Sequence, residues 1–187
     1  TKVIPARLPL LKKTGGLVPL LVLGQAGKGV IRALSPKPLK IGEVLTLPHS
    51  TATFEVSERD ETSWLLRFHV PHDDLQKFME HKGSMPLPPY IKHTPLTREQ
   101  QREQYQTVFA KVPGSIAAPT ASLHFTERLL KNLEEHGVHL HRIVLHVHLG
   151  TFAPLTEEQW KEGKLHEEHY EISEKTARSL EKAKGEG

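Results

Sequence analysis

Between residues 17 and 68 the chain reads LVPLLVL (17–23), VIRAL (30–34), EVLTL (43–47), TATFEV (51–56) and SWLLRF (63–68). These short runs are rich in β-branched, leucine and aromatic residues. Breaks of turn-forming composition separate them: GQAGKG, SPKPLKIG, LPHS and SERDET. Short apolar runs at close spacing, joined by turn chemistry, predict five strands in a small antiparallel barrel or sandwich. Pro19 lies inside the first of these runs. Proline cannot donate to a strand ladder, so an edge or a bulge is expected there.

Beyond residue 72 the pattern turns helical. Asp73 is positioned to cap a short helix carrying Leu75, Phe78 and Met79, with Gly83 as its stop. Met85–Tyr90 holds too much proline for a helix and is expected to be extended. Thr97 followed by Gln100 has capping-box spacing and opens a polar helix to about Gln106. Thr126 precedes a segment with Leu129, Leu130 and Leu133 on one face, which is expected to be core and to end at Gly137. Val138–Leu149 reads as a strand, Thr156 to Gln159 opens another helix, and Ser173 caps a last one reaching Lys184. Strands and helices mixed in this order indicate an α+β or α/β second half.

Composition narrows the chemistry. Without cysteine, disulfides, thiolate catalysis and cysteine-ligated metals are excluded. The net charge is only +3, from 25 basic and 22 acidic residues, which permits RNA binding without indicating it. No stretch approaches the roughly eighteen uninterrupted apolar residues of a membrane helix, and the opening TKVIPARLPLLKKTGG is broken by proline and lysine. Thirteen histidines raise the question of a metal, and H-x-H pairs occur at His139/His141 and His146/His148. Such pairs put two imidazoles on one strand face. No acidic third ligand lies at a telling spacing, so no metal is expected.

Four segments are too unusual for propensity alone: MPLPPYIK (85–92), YQTVFA (105–110), GSIAAPTASLHFT (114–126), and LHVHLGTF (145–152) trailed by HEEHY (166–170). With TKVIPARL (1–8), they resemble in order and spacing the signature blocks of the S-adenosylmethionine:tRNA ribosyltransferase-isomerase (QueA) family. That resemblance implies a small β-barrel, here residues 9–72, inserted into a larger α/β domain formed by residues 1–8 and 73–187. The family's chains are longer. The abrupt start within an apparent strand and the stop at KAKGEG therefore read as cuts, leaving the larger domain incomplete. Open strand edges would follow, and with them poor solubility or edge-mediated dimerisation of this chain. The full-length enzyme is expected to be a monomer.

The resemblance further implies a transferase that uses S-adenosylmethionine as ribosyl donor and co-substrate. The acceptor would be the aminomethyl group of a 7-deazaguanine at the tRNA wobble position, with adenine and methionine leaving. Such chemistry needs a base for the carbon beside the sulfonium and a donor for departing adenine. His, Glu, Lys and Tyr suffice, so no metal is required. On this reading His124, His146, His166 and Glu168 are the catalytic candidates. Pro89, Tyr90, Lys92, Tyr105, Gln106, Pro119, Thr120, Phe125, Gly150, Thr151 and Phe152 are the substrate-binding candidates, and Gly114–Thr120 is expected to bring backbone close to a ligand. A cytoplasmic location follows from the tRNA partner, with no membrane partner.

Plainer readings stand beside these. MPLPPYIK also reads as a rigid connector, Tyr105 and Phe109 as core anchors, and His124 as structural. A non-catalytic RNA-binding module, or an inactive fragment of such an enzyme, is the alternative function; for RNA stacking the barrel offers only Phe54, Trp64 and Phe68 as aromatics. This sequence also departs from the family pattern. Ser122 and His148 replace usual glycines, His93 and Ala153 replace usual arginines, Pro19 replaces an acidic residue, and the Ser35–Lys40 loop is shorter than the family's basic loop.

Overall fold

A computed structural model describes residues 1–60, 62–71, 74–88, 90–91, 93–147, 156–165 and 167–186. The chain divides into two compact units. The first comprises Thr1–Val3, Pro88–His93 and Glu103–Gly187, and the second Ile4–Leu87 and Thr94–Arg102. The architecture is α+β.

The second unit is a closed six-stranded antiparallel barrel. Its strands are β2 (Arg7–Lys12), β3 (Leu17–Gln25), β4 (Val30–Leu34), β5 (Val44–Thr46), β6 (Thr53–Arg59) and β7 (Trp64–His69), following β1 (Lys2–Val3) of the first unit. They close in the order β2-β3-β4-β7-β6-β5. Alternation drives this closure: Leu8, Leu10, Val18, Leu20, Ile31, Ala33, Leu45, Phe54, Val56 and Leu66 are fully buried, and the residues between them are more exposed.

One strand is additional to the five expected. β2 contains Pro9 and is preceded by Pro5, which conceals its β pattern. Pro9 lies directly opposite Pro19 of β3. Hydrogen bonds from Val22 N to Ala6 O (2.8 Å) and from Lys12 N to Gly16 O (2.9 Å) mark the even-numbered β2 residues as the hydrogen-bonded pairs. The two prolines therefore meet at a non-hydrogen-bonded pair, where neither amide is needed. The register shift of β3 falls at Val22/Gly24, beyond Pro19.

Helix α1 (Leu75–Lys82) adds Phe78 and Met79 to the barrel's apolar cluster, with the Phe78 and Phe54 ring centroids 6.1 Å apart. Its N-cap is Asp74, whose carboxylate accepts from Lys77 N at 3.0 Å; Asp73 lies outside the described residues. Gly83 ends the helix. A β-carbon there would meet Pro5 O at 2.0 Å and Met79 O at 2.6 Å, so no side chain fits. Helix α2 (Arg98–Gln104) opens on the Thr97/Gln100 capping box, with both reciprocal bonds formed.

In the first unit, β8 (Pro113–Ser115) pairs in parallel with β1. A 3-10 turn over Thr120–His124 follows, then α3 (Glu127–Glu135), β9 (Val144–His146), α4 (Glu157–Glu162), β10 (His169–Glu171) and α5 (Glu174–Gly185). Thr126, Thr156 and Ser173 cap α3, α4 and α5 through their hydroxyls. Of the leucine stripe on α3, only Leu130 is buried; Leu129 is 40% exposed. Among the described residues, the expected strand over Val138–Leu149 is confined to the three residues of β9, which pair with the three of β10. His148 and Leu149 lie outside the described residues. Among the described residues, no helix is long and apolar enough to cross a membrane.

Candidate active site

His146 sits between two residues that are held in place by hydrogen bonds. The two residues flanking it are fixed through their main chain. Leu145 O accepts from Thr1 Oγ1 at 2.6 Å. Val147 N donates to Ser115 Oγ at 3.0 Å, and Val147 O accepts from Ile116 N at 3.1 Å. Ser115, Ile116, Ala117 and Ala118 are all buried, so the bonds to Val147 run in the unit's interior, where they compete little with water. Ser115 Oγ also meets Thr1 Oγ1.

The imidazole of His146 then occupies the space a side chain at residue 114 would need. Gly114 has φ +135°, and a β-carbon there would lie 3.0 Å from His146 Nδ1 and 3.2 Å from its Cε1. At Gly114 itself, the first residue of the stretch expected to approach a ligand, the neighbouring group is this ring. Across the β9–β10 ladder, His169 is the direct partner of His146, and their ring centroids are 5.6 Å apart. Glu171 Oε1 sits 4.0 Å from His146 Nε2 and 3.7 Å from His169 Nε2. The His146 side chain is 20% exposed, whereas Glu171 is 65% exposed. One imidazole face is therefore packed while a carboxylate borders its solvent side. A histidine ring so placed is suited to general acid–base chemistry.

His169 and Glu171 were not singled out by sequence reasoning; their approach to His146 depends on strand register, which no local motif encodes. Glu168, half-buried, directly precedes β10. His124 is exposed at the end of the 3-10 turn. Pro119 starts that turn half-buried, and Thr120 is exposed. Phe125 stacks obliquely on Phe109 at 5.6 Å. Tyr105 is buried, its hydroxyl accepting from Ala118 N at 3.4 Å. Gln106 clasps β1: its Oε1 accepts from Val3 N and its Nε2 donates to Val3 O, both at 2.9 Å. Tyr90 is 71% exposed. His166, Pro89, Lys92, Gly150, Thr151 and Phe152 lie outside the described residues. Among the described residues, no group of three or more His, Asp or Glu is arranged to hold a metal ion.

The barrel's aromatics give little to a stacking surface. Phe54 is fully buried, Trp64 and Phe68 pack against the same core, and Arg59 already lies over the Trp64 ring at 5.2 Å.

Comparison with known proteins supplies the context. Residues 1–187 match the family profile described as queuosine biosynthesis protein. The chain is 45% identical over 185 residues to the S-adenosylmethionine:tRNA ribosyltransferase-isomerase of Rubrobacter xylanophilus, covering 98% of this chain and 53% of that protein. Identity is 39% over 189 residues with the protein of the same name from Trichlorobacter lovleyi, covering 100% of this chain and 54% of that one. It is 38% over 189 residues with that of Thermotoga maritima, with the same coverages of 100% and 54%. The chain spans about half the length of the curated relatives it matches. It belongs to the queuosine biosynthesis protein family.

Proposed function

We propose that this chain is the part of an S-adenosylmethionine:tRNA ribosyltransferase-isomerase that carries a proton-transfer group of the reaction. The enzyme moves and isomerises the ribosyl moiety of S-adenosylmethionine onto the 7-aminomethyl-7-deazaguanine wobble base of tRNA. Epoxyqueuosine forms, and adenine and methionine are released. The observation that carries the reading is identity of 38–45% across essentially the whole chain to proteins of that name.

His146 is the best-supported acid–base group, because its neighbours are pinned and its ring is packed against Gly114. A base held in one orientation wastes no reorganisation when the proton moves. Its task is to take the proton from the carbon next to the sulfonium, acidified by that positive charge. His124, His166 and Glu168 remain candidates for assisting adenine departure, and no metal is needed. The partners are S-adenosylmethionine and tRNA, in the cytoplasm. The full-length enzyme acts as a monomer. Isothermal titration with S-adenosylmethionine tests the donor site: saturable binding, weakened by Gly114→Ala, supports it, and the absence of any heat of binding in a folded sample refutes it.

A further inference from the structure

Away from His146, three turns at one end of the barrel unit are tied together by a single lysine and a single glutamate. Lys12 Nζ donates to Pro38 O at 2.8 Å and to Glu43 Oε2 at 3.2 Å. The same carboxylate accepts from Lys40 N at 3.1 Å. The β2–β3 hairpin, the Ser35–Lys40 loop and the turn after it are therefore one surface.

Each turn is rigid by construction. The hairpin closes through Gly15 N to Lys12 O (2.8 Å) and Lys12 N to Gly16 O (2.9 Å), with Gly15 at φ +84° where a side chain would be strained. In the loop, Ser35 Oγ donates to Lys37 O at 2.7 Å and accepts from Lys37 N at 3.1 Å. Pro36 and Pro38 fix the dihedrals on either side of Lys37, and Leu39 anchors the loop in the barrel core. Glu43 N donates to Lys40 O at 2.9 Å, closing the third turn around Gly42.

This frame presents three lysines to solvent, one per turn: Lys13, Lys37 and Lys40, all exposed. Lys12 and Glu43 neutralise each other at 3.1 Å. Among the described residues, Lys13, Lys37 and Lys40 have no ion-pair partner. With Lys12 and Glu43 cancelling, the three tied turns leave Lys13, Lys37 and Lys40 as cations facing solvent. Separate cations on stiff turns suit a repeating polyanion, because little loop entropy is lost when several charges engage at once.

We propose that this end of the barrel binds the phosphodiester backbone of RNA, reading charge and not sequence. The identification of the polyanion as RNA rests on the tRNA-modifying reading above. Direct phosphate contacts without stacking also fit a barrel whose aromatics are buried or already covered.

The test uses the 187-residue chain and a fluorescein-labelled tRNA anticodon stem-loop transcript, with affinity measured by anisotropy over a salt series. K13Q/K37Q/K40Q is expected to weaken binding about tenfold or more and to lower the slope of log K against log salt by about 3, one per lysine. A charge-matched control, K28Q/K77Q/K82Q, removes three lysines elsewhere on the same unit and should shift both quantities far less. Circular dichroism checks that both variants keep the barrel. Equal losses in the two variants, or no loss in the first, would overturn the assignment of this surface. A wild-type chain that ignores the transcript would overturn it as well. Failure of adenine release with the lysine-dependent RNA binding intact would instead count against the transferase reading alone.

Discussion

The imidazole of His146 stands 3.0 Å from the point where a side chain on Gly114 would begin. Glycine at 114 is thus a condition for that histidine's placement. Gly114→Ala would put a methyl group into the ring at a φ of +135°, which alanine tolerates poorly. The expected result is destabilisation of about 1–3 kcal/mol, measured by urea denaturation, together with a displaced His146. If the variant is as stable as the parent, the ring is not held as described.

His146→Gln keeps a planar polar side chain but removes the titratable imidazole. Adenine release should fall by about 10²- to 10⁴-fold, the range typical for loss of a general acid or base. The ring is only 20% exposed and neighbours both Gly114 and His169, so thermal melts are run alongside to separate lost packing from lost proton transfer. A rate within a few-fold of the parent would transfer the proton-handling role to His124, His166 or Glu168.

Gly83→Ala tests the barrel unit independently of the site. Two backbone carbonyls, Pro5 O at 2.0 Å and Met79 O at 2.6 Å, occupy the space of the new methyl group, and neither is the end of a flexible side chain. A loss of about 1–3 kcal/mol is expected. Unchanged thermal stability would show that Pro5 and Gly83 do not approach as described.

Gln106→Glu would replace the amide that clasps Val3. The donor to Val3 O is lost and a carboxylate oxygen is left facing that carbonyl. A buried hydrogen-bonding group deprived of its partner costs about 1–3 kcal/mol. Gln106→Asn, with a shorter reach, should also destabilise. Hydrogen exchange at the Val3 amide, now bonded to Gln106 Oε1 at 2.9 Å, reports the clasp directly.

Asp74 supplies a pH signature. The Lys77 amide and ammonium group hold its carboxyl below the usual carboxylate range. The folded-state value is thus lower than the unfolded one. The contribution to stability is complete above the unfolded value near 4 and is lost as pH falls through the folded value. Asp74→Asn retains a side-chain acceptor for the cap. Its stability should therefore fall less steeply in acid than the parent's, as read from thermal melts between pH 7 and pH 3. Parallel acid profiles would remove Asp74 from the account.

The barrel strands and the helix caps were legible because their signals are local. Alternation inside LVPLLVL or SWLLRF, and the Thr156/Gln159 capping spacing, each involve residues a few positions apart. β2 was hidden because Pro9 looks incompatible with a strand until Pro19 is seen opposite it at a non-hydrogen-bonded pair. The strand over Val138–Leu149 was overextended at its start, since the alternation begins at Val138 whereas β10 offers partners only to Val144–His146. At the site, His146 stood out in its sequence block. His169 and Glu171 did not, because the ladder between β9 and β10 brings them to His146 across more than twenty residues of chain. The lysine surface was obscured for the same reason: its three members lie on separate turns joined only through Lys12 and Glu43.

The most direct test of the transferase reading is chromatographic detection of free adenine after incubating the chain with S-adenosylmethionine and tRNA bearing 7-aminomethyl-7-deazaguanine at the wobble position. The account predicts adenine in amounts that track modified tRNA consumed, none when either substrate is omitted, and little with His146→Gln. A folded chain that binds both substrates yet releases no adenine would contradict it.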